Sequence, residues 1–149
     1  MIEPLSSRIH PVAAILPSQG GAASTALYGA ALDMNAYLAD RVLMIVTFGV
    51  ITAGAVMTIK AQTATTSNFA SPNDVTGTSQ IVADDKDDLT FMIDLINPSE
   101  RYVRLAVMRA TQTAVVASAY YLVYGMRRPV ATHTIAGVEV HRDKATGTA

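Results

Sequence analysis

The sequence predicts an all-β fold, a β-sandwich or jelly roll with extended N- and C-terminal arms. Three observations carry that expectation. Apolar residues alternate with a period of two over short segments rich in Val, Ile, Thr and Tyr, the pattern of strands with one covered side. Clusters of Gly, Pro, Asn, Asp and Ser separate those segments. No stretch sustains the apolar period of an amphipathic helix over a useful length.

The chain has 149 residues, the size of one domain that can bury a substantial core. Residues 1–25, "MIEPLSSRIHPVAAILPSQGGAAST", read as an extended arm. Pro4, Pro11, Pro17 and the Gly20-Gly21 pair argue against a regular element there. Ile9, Val12, Ile15 and Leu16 are too apolar for a free linker and are expected to dock on a surface. Glu3, the lack of a basic start and the three prolines speak against a secretory signal.

Residues 26–126 form the expected β domain. "TALYGAALD" reads as a first strand, and "DMNAYLAD" as a turn or short helix. The next run, Val42 to Ile59, holds eighteen residues without a charge, enough to cross a bilayer as a helix. Its composition favours strands instead, because Val42, Ile45, Val46, Val50, Ile51, Val56 and Ile59 are β-branched. Val42, Met44, Val46 and Phe48 share one face, Met57, Ile59 and Ala61 alternate with Thr58, Lys60 and Gln62, and "TAG" between them signals a turn. A β-hairpin is predicted. "TTSNFASPNDVTGTS" is a polar loop, and "QIVADDKDD" leads into the strand "LTFMIDLI", where Phe91, Ile93 and Leu95 share a face. "NPSE" turns the chain. In "RYVRLAVMRA" Val103, Leu105 and Val107 oppose Tyr102, Arg104, Ala106 and Met108. After the short turn "TQT", "AVVASAYYLVYGM" is a long apolar strand with Tyr120, Tyr121 and Tyr124. Residues 127–149 read as a second tail, with one short strand expected at "GVEVHR".

Chemistry-bearing motifs are scarce. The net charge of −1 supplies no broad attraction to nucleic acid or anionic membranes. The pair Arg127-Arg128 is short and has no interleaved aromatics. With no cysteine, disulfides and thiolate metal sites are excluded. The acidic cluster Asp84, Asp85, Asp87 and Asp88 lacks the glycine and distal glutamate of an EF-hand loop and reads as a solvated turn; an accessory cation site there stays open. His10, His133 and His141 have no metal-ligand spacing and read as surface residues. There is no nucleophile elbow, HExxH motif or phosphate-cradling glycine loop, and Ser99 in "NPSER" reads as a turn serine. No enzyme, cofactor or metal is expected. Structural or binding work is left, and apolar residues in the arms suit docking onto neighbouring subunits.

Asp87 to Val130, with Pro98 before "RYVR" and a strand ending in Tyr124-Gly125 followed by Arg127 and Pro129, resembles small virion proteins of tailed bacteriophages. The segment "LDMNAYLADRVLMIVTFGVITAGAVMTIKAQ" resembles the same group's strand, Thr-Ala-Gly turn and strand. The likeness spans about residues 30–130 and is to capsid decoration, or cement, proteins. It implies a jelly-roll or β-sandwich module, a dimer or trimer, on the outside of an icosahedral head. There it would clamp adjacent major capsid proteins, without nucleic acid or membrane as partner. Assembly would take place in the host cytoplasm and the residence would be the virion. The family supplies no catalytic residues. This chain has "TSNFASPND" where an "S.D...W" loop is expected after the hairpin, which keeps a head–tail joining or tail component open. Ile9, Val12, Ile15, Leu16, Tyr120, Tyr124, Arg127 and Arg128 are the candidate interface residues.

Two other readings compete. A carbohydrate- or ligand-binding β-sandwich would need an aromatic platform, poorly supplied by six Tyr, three Phe and no Trp. A small membrane protein would use Val42–Ile59 and Ala110–Met126.

Overall fold

The computed structural model describes residues 3–128 together with 133, 136 and 137. It is an all-β sandwich of two antiparallel sheets. The strands are β1 (His10–Ile15), β2 (Leu27–Tyr28), β3 (Leu32–Asp33), β4 (Arg41–Ile51), β5 (Val56–Ala64), β6 (Asn73–Asp74), β7 (Gln80–Val82), β8 (Thr90–Ile96), β9 (Tyr102–Ala110) and β10 (Ala114–Tyr124). A single 3₁₀ turn, Leu5–Ser7, precedes them. One sheet has four strands in the order β1-β10-β4-β8. The other has the order β2-β9-β5-β6, with β3 also on β9 and β7 also on β5.

The alternation in the sequence sets which side chains meet between the sheets. Val42, Met44, Val46 and Phe48 from β4 are buried opposite Met57, Ile59 and Ala61 of β5 and Val103, Leu105 and Val107 of β9. Ile93 and Leu95 of β8 complete that layer, with Phe91 packed against it edge-on to Phe48. Tyr121 is the largest of the fully buried side chains. Its hydroxyl accepts from the Leu105 N–H and donates to the Ala30 carbonyl, each at 2.9 Å, so a side chain of one sheet is bonded to the backbone of the other. Gly29 makes this approach possible, because a Cβ there would land on the Tyr121 hydroxyl.

The predicted hairpin across Val42–Ile59 is corrected by the pairing. β4 and β5 are two strands joined by a turn, as their alternation implies, but they belong to different sheets. Their turn runs over Thr52–Ala55, closed by Ala55 N–H to Thr52 carbonyl at 2.9 Å with Gly54 at φ +82°. The connection arches over the core instead of folding β5 back beside β4. The same holds for the "NPSE" and "TQT" turns, which carry the chain from β8 to β9 and from β9 to β10, each time changing sheet. Period-two patterning fixes which face is covered and leaves the lateral partner undetermined. Among the described residues no helix is long and apolar enough to cross a membrane, and Val42–Ile59 is strand and turn.

A second correction concerns residues 1–25. His10–Ile15 is a strand, paired with β10 in a register that sets His10 against Val123 and Pro11 against Leu122 and shifts between Ala13 and Ile15. Beyond a turn at Leu16–Gln19 the chain rejoins β10 through Gly20 to Val116 and Ala23 to Ala114. Pro11 is tolerated because β1 is an edge strand. Gly20 is required by proximity, since a Cβ would land on the Val116 carbonyl. The short strand expected at "GVEVHR" and most of the 127–149 tail lie outside the described residues.

Candidate interface on the four-stranded sheet

The two outer faces of the sandwich differ in kind. On the larger sheet, which also exposes Val56 and Ile81, the polar outward side chains around Gln62 satisfy one another. Lys60 pairs with Asp74 at 2.6 Å, Asp74 accepts from Gln62 at 2.8 Å, and Gln62 accepts from Arg104 at 2.9 Å. The Arg104 guanidinium lies between the rings of Tyr28 and Phe69, 4.0 and 4.2 Å from their centroids, and desolvation there pulls its pKa below the ordinary value. That pair of contacts needs a planar cation and two rings, so Arg104 is the centre of the polar network on this part of the face.

The four-stranded sheet presents apolar rows instead. Cross-strand register sets Ala13, Tyr120, Ile45 and Met92 side by side, and the next row reads Pro11, Leu122, Leu43 and Asp94. Beyond them lie Tyr124, Arg41 and Ile96. Tyr120, Met92 and Ile96 are 42%, 57% and 54% exposed. The Tyr124 hydroxyl donates to Asp94 Oδ1 at 2.5 Å, and that hydrogen bond, followed by burial, raises its pKa. This end of the sheet opens into a cleft of about 740 Å³.

The residues proposed from sequence divide between these surroundings. Tyr120 lies on the outer face of the sheet, and Ile9, Tyr124, Arg127 and Arg128 line the cleft. Leu16 is exposed at the tip of the turn after β1. Two are corrected: Ile15 is buried in the core and Val12 packs against it, because their register partners Ala119 and Tyr121 point inward. Leu43, Ile45, Met92 and Leu122 were not foreseen as surface residues of this face. The available signal was that β4 is apolar in both phases of its alternation, where a strand with one wet side carries polar residues in one.

The other chemistry-bearing groups serve the fold. Asp84 Oδ2 accepts from the Gly54 N–H at 2.5 Å and Asp87 Oδ1 from the Ile51 N–H at 2.6 Å, so half of the acidic cluster caps the β4–β5 turn. Among the described residues no three His, Asp or Glu side chains converge as a metal site. His10, expected at the surface, is buried on the inward side of β1. Its ring centroid is 4.7 Å from Tyr37 and 5.3 Å from His133, whose Nε2 lies 2.8 Å from the Ser6 carbonyl oxygen. Burial, and then the His133 charge, lowers the His10 pKa. His141 lies outside the described residues.

No family model matches the chain, and no curated protein does. Among solved structures, the crystal structure of PirA is similar at 14% identity and a TM-score of 0.39, over 83% of this chain and 99% of that one. At that distance nothing about PirA transfers to this chain.

Proposed function

We propose that the chain is a non-enzymatic structural protein of a tailed-bacteriophage virion. It binds the outside of an icosahedral capsid and cements adjacent major capsid proteins, as a homo-oligomer, through the outer face of its four-stranded sheet. The observation that carries this reading is the contrast between the two faces. One carries a polar network through Lys60, Asp74, Gln62 and Arg104, with Val56 and Ile81 exposed beyond it. The other sets Ala13, Tyr120, Ile45 and Met92 in a row with Leu43 and Leu122 beside them. A continuous apolar patch of this kind is characteristic of an interaction surface.

The strand order supports a jelly roll. Taking β2 with β3, and β6 with β7, as split strands, the sheets read first-eighth-third-sixth and second-seventh-fourth-fifth. The chain therefore changes layer at every step except from the fourth strand to the fifth, the double-sheet arrangement found in viral capsid domains among others. The resemblance of residues 30–130 to decoration proteins points the same way.

The test is to mix the purified chain with expanded capsids and follow co-sedimentation. The intact chain is expected to bind in many copies. Ile45→Asp and Tyr120→Glu place a charge in the middle of the apolar row and should weaken binding at least about tenfold, since desolvating an unpaired charge is costly. A chain that stays monomeric and does not bind capsids overturns the proposal.

A further inference from the structure

The cleft at the end of the apolar face has a floor of one character and a rim of another. Ile9, Leu43 and Leu122 contribute apolar floor, and Arg8, Arg41, Arg127 and Arg128 line the cleft with two acids, Glu3 and Asp94. Two of these cations are already committed, Arg8 to Glu3 at 2.9 Å and Arg41 to Asp40 at 3.4 Å. Arg127 and Arg128 form no ion pair among the described residues, and both are exposed. Asp94, which lines the cleft on β8, accepts from the Tyr124 hydroxyl. The cleft thus offers apolar contact area with two uncommitted positive charges at its lip.

We infer that this cleft receives an extended peptide segment of the binding partner that carries carboxylates beside apolar side chains. The inference rests on the capsid-binding reading of the sheet and names the chemistry of what is bound. Charge complementarity selects the carboxylates, since guanidinium groups pair with them in fork geometry. The floor selects against a small free anion, which would leave Leu43 and Leu122 uncovered. A lone acyl chain is disfavoured because the sheet continues the apolar floor into the next row, through Ile45 and Tyr120, which a single chain in the cleft would leave uncovered. An extended backbone advances ~3.3 Å per residue and projects side chains to alternate sides. It can therefore set apolar groups on the floor while acidic ones reach the lip.

The experiment uses the full chain and two fluorescein-labelled peptides, one alternating Leu with Glu and one alternating Leu with Lys, read by anisotropy at low and high salt. The Leu-Glu peptide is expected to bind, to weaken with salt, and to lose on the order of tenfold in affinity with R127E/R128E. Both arginines are exposed, so an unchanged melting temperature in that variant confirms an intact fold. Equal binding of the Leu-Lys peptide, or indifference to R127E/R128E, overturns the inference. So does the absence of peptide binding accompanied by self-association that the charge reversal abolishes, which would assign the cleft to a second copy. Preferential uptake of oleate over the Leu-Glu peptide would assign it to a lipid and also overturn it. Capsid binding separates the two proposals. If R127E/R128E binds capsids as well as the unmodified chain, only the cleft inference falls; if the unmodified chain does not bind capsids, the cement reading falls.

Discussion

The Tyr121 hydroxyl stands 2.9 Å from the Leu105 amide nitrogen, joining the centre of one sheet to the backbone of the other through the middle of the core. The same hydroxyl donates to the Ala30 carbonyl, so one phenol satisfies two backbone groups.

Tyr121→Phe keeps the ring and removes both bonds. The Leu105 N–H and Ala30 carbonyl then have no partner, which should cost about 1–3 kcal/mol in urea unfolding at unchanged m-value. Gly29→Ala should cost at least as much, because its methyl meets the hydroxyl. The double substitution should lose less than the sum of the two singles, since removing the hydroxyl opens the space. Additive losses would show that the contact is not what constrains Gly29.

Burial pushes the Tyr121 phenol far above its ordinary value. A raised value in the folded state means stability is complete below the unfolded value of about 10 and is lost as pH rises past it. Unfolding free energy should therefore fall by about 1.4 kcal/mol per pH unit above about pH 10. Tyr121→Phe should show a shallower decline in the same alkaline titration.

His10 behaves in the opposite sense. Burial and the neighbouring His133 lower its value, so the folded state prefers the neutral ring. Its contribution is complete above the unfolded value of about 6.5 and is lost as pH falls below that, before Asp33 and Asp74 titrate. Thermal melts between about pH 7 and 5 should show a decline that His10→Gln flattens.

Arg109 is buried, and its guanidinium donates to the carbonyls of Thr25, Gly21 and Ala114 at 2.8, 2.9 and 3.0 Å. Arg109→Met fills the space and leaves those carbonyls without the donor. A loss of about 1–3 kcal/mol is expected, with faster proteolysis near Gly21 to Thr25. Arg109→Lys should recover only part, because an ammonium cannot match the fork that reaches three carbonyls. Proteolysis at the unmodified rate would place the tether elsewhere.

The sequence made the facing of the strands legible and hid their neighbours. Val42, Met44, Val46 and Phe48 are inward as their spacing implies, and so are Val103, Leu105 and Val107. Which strand lies beside which is decided by long-range packing, to which a two-residue period is blind, so an arch at Thr52–Ala55 reads like a hairpin. Pro11 hid β1 for a related reason: a missing N–H excludes a central strand but not an edge, and edge position is a property of the finished sheet. At the candidate interface the aromatic and charged members, Tyr120, Tyr124, Arg127 and Arg128, stood out by type. Leu43, Ile45, Met92 and Leu122 did not, because an aliphatic residue has the same appearance whether a core or a partner covers it.

The position of β10 also governs when this molecule can form during synthesis. It lies between β1 and β4, the strands that begin at His10 and Arg41, yet it is the last of the described strands to be made. Until Ala114 to Tyr124 have left the ribosome, β1 has no lateral neighbour and the four-stranded sheet has a gap at its centre. Pairings that span so much chain fold slowly, in milliseconds to seconds. A chain interrupted before β10 should hold its apolar faces open to chance association, so truncated products are expected to aggregate rather than to accumulate as smaller folded pieces.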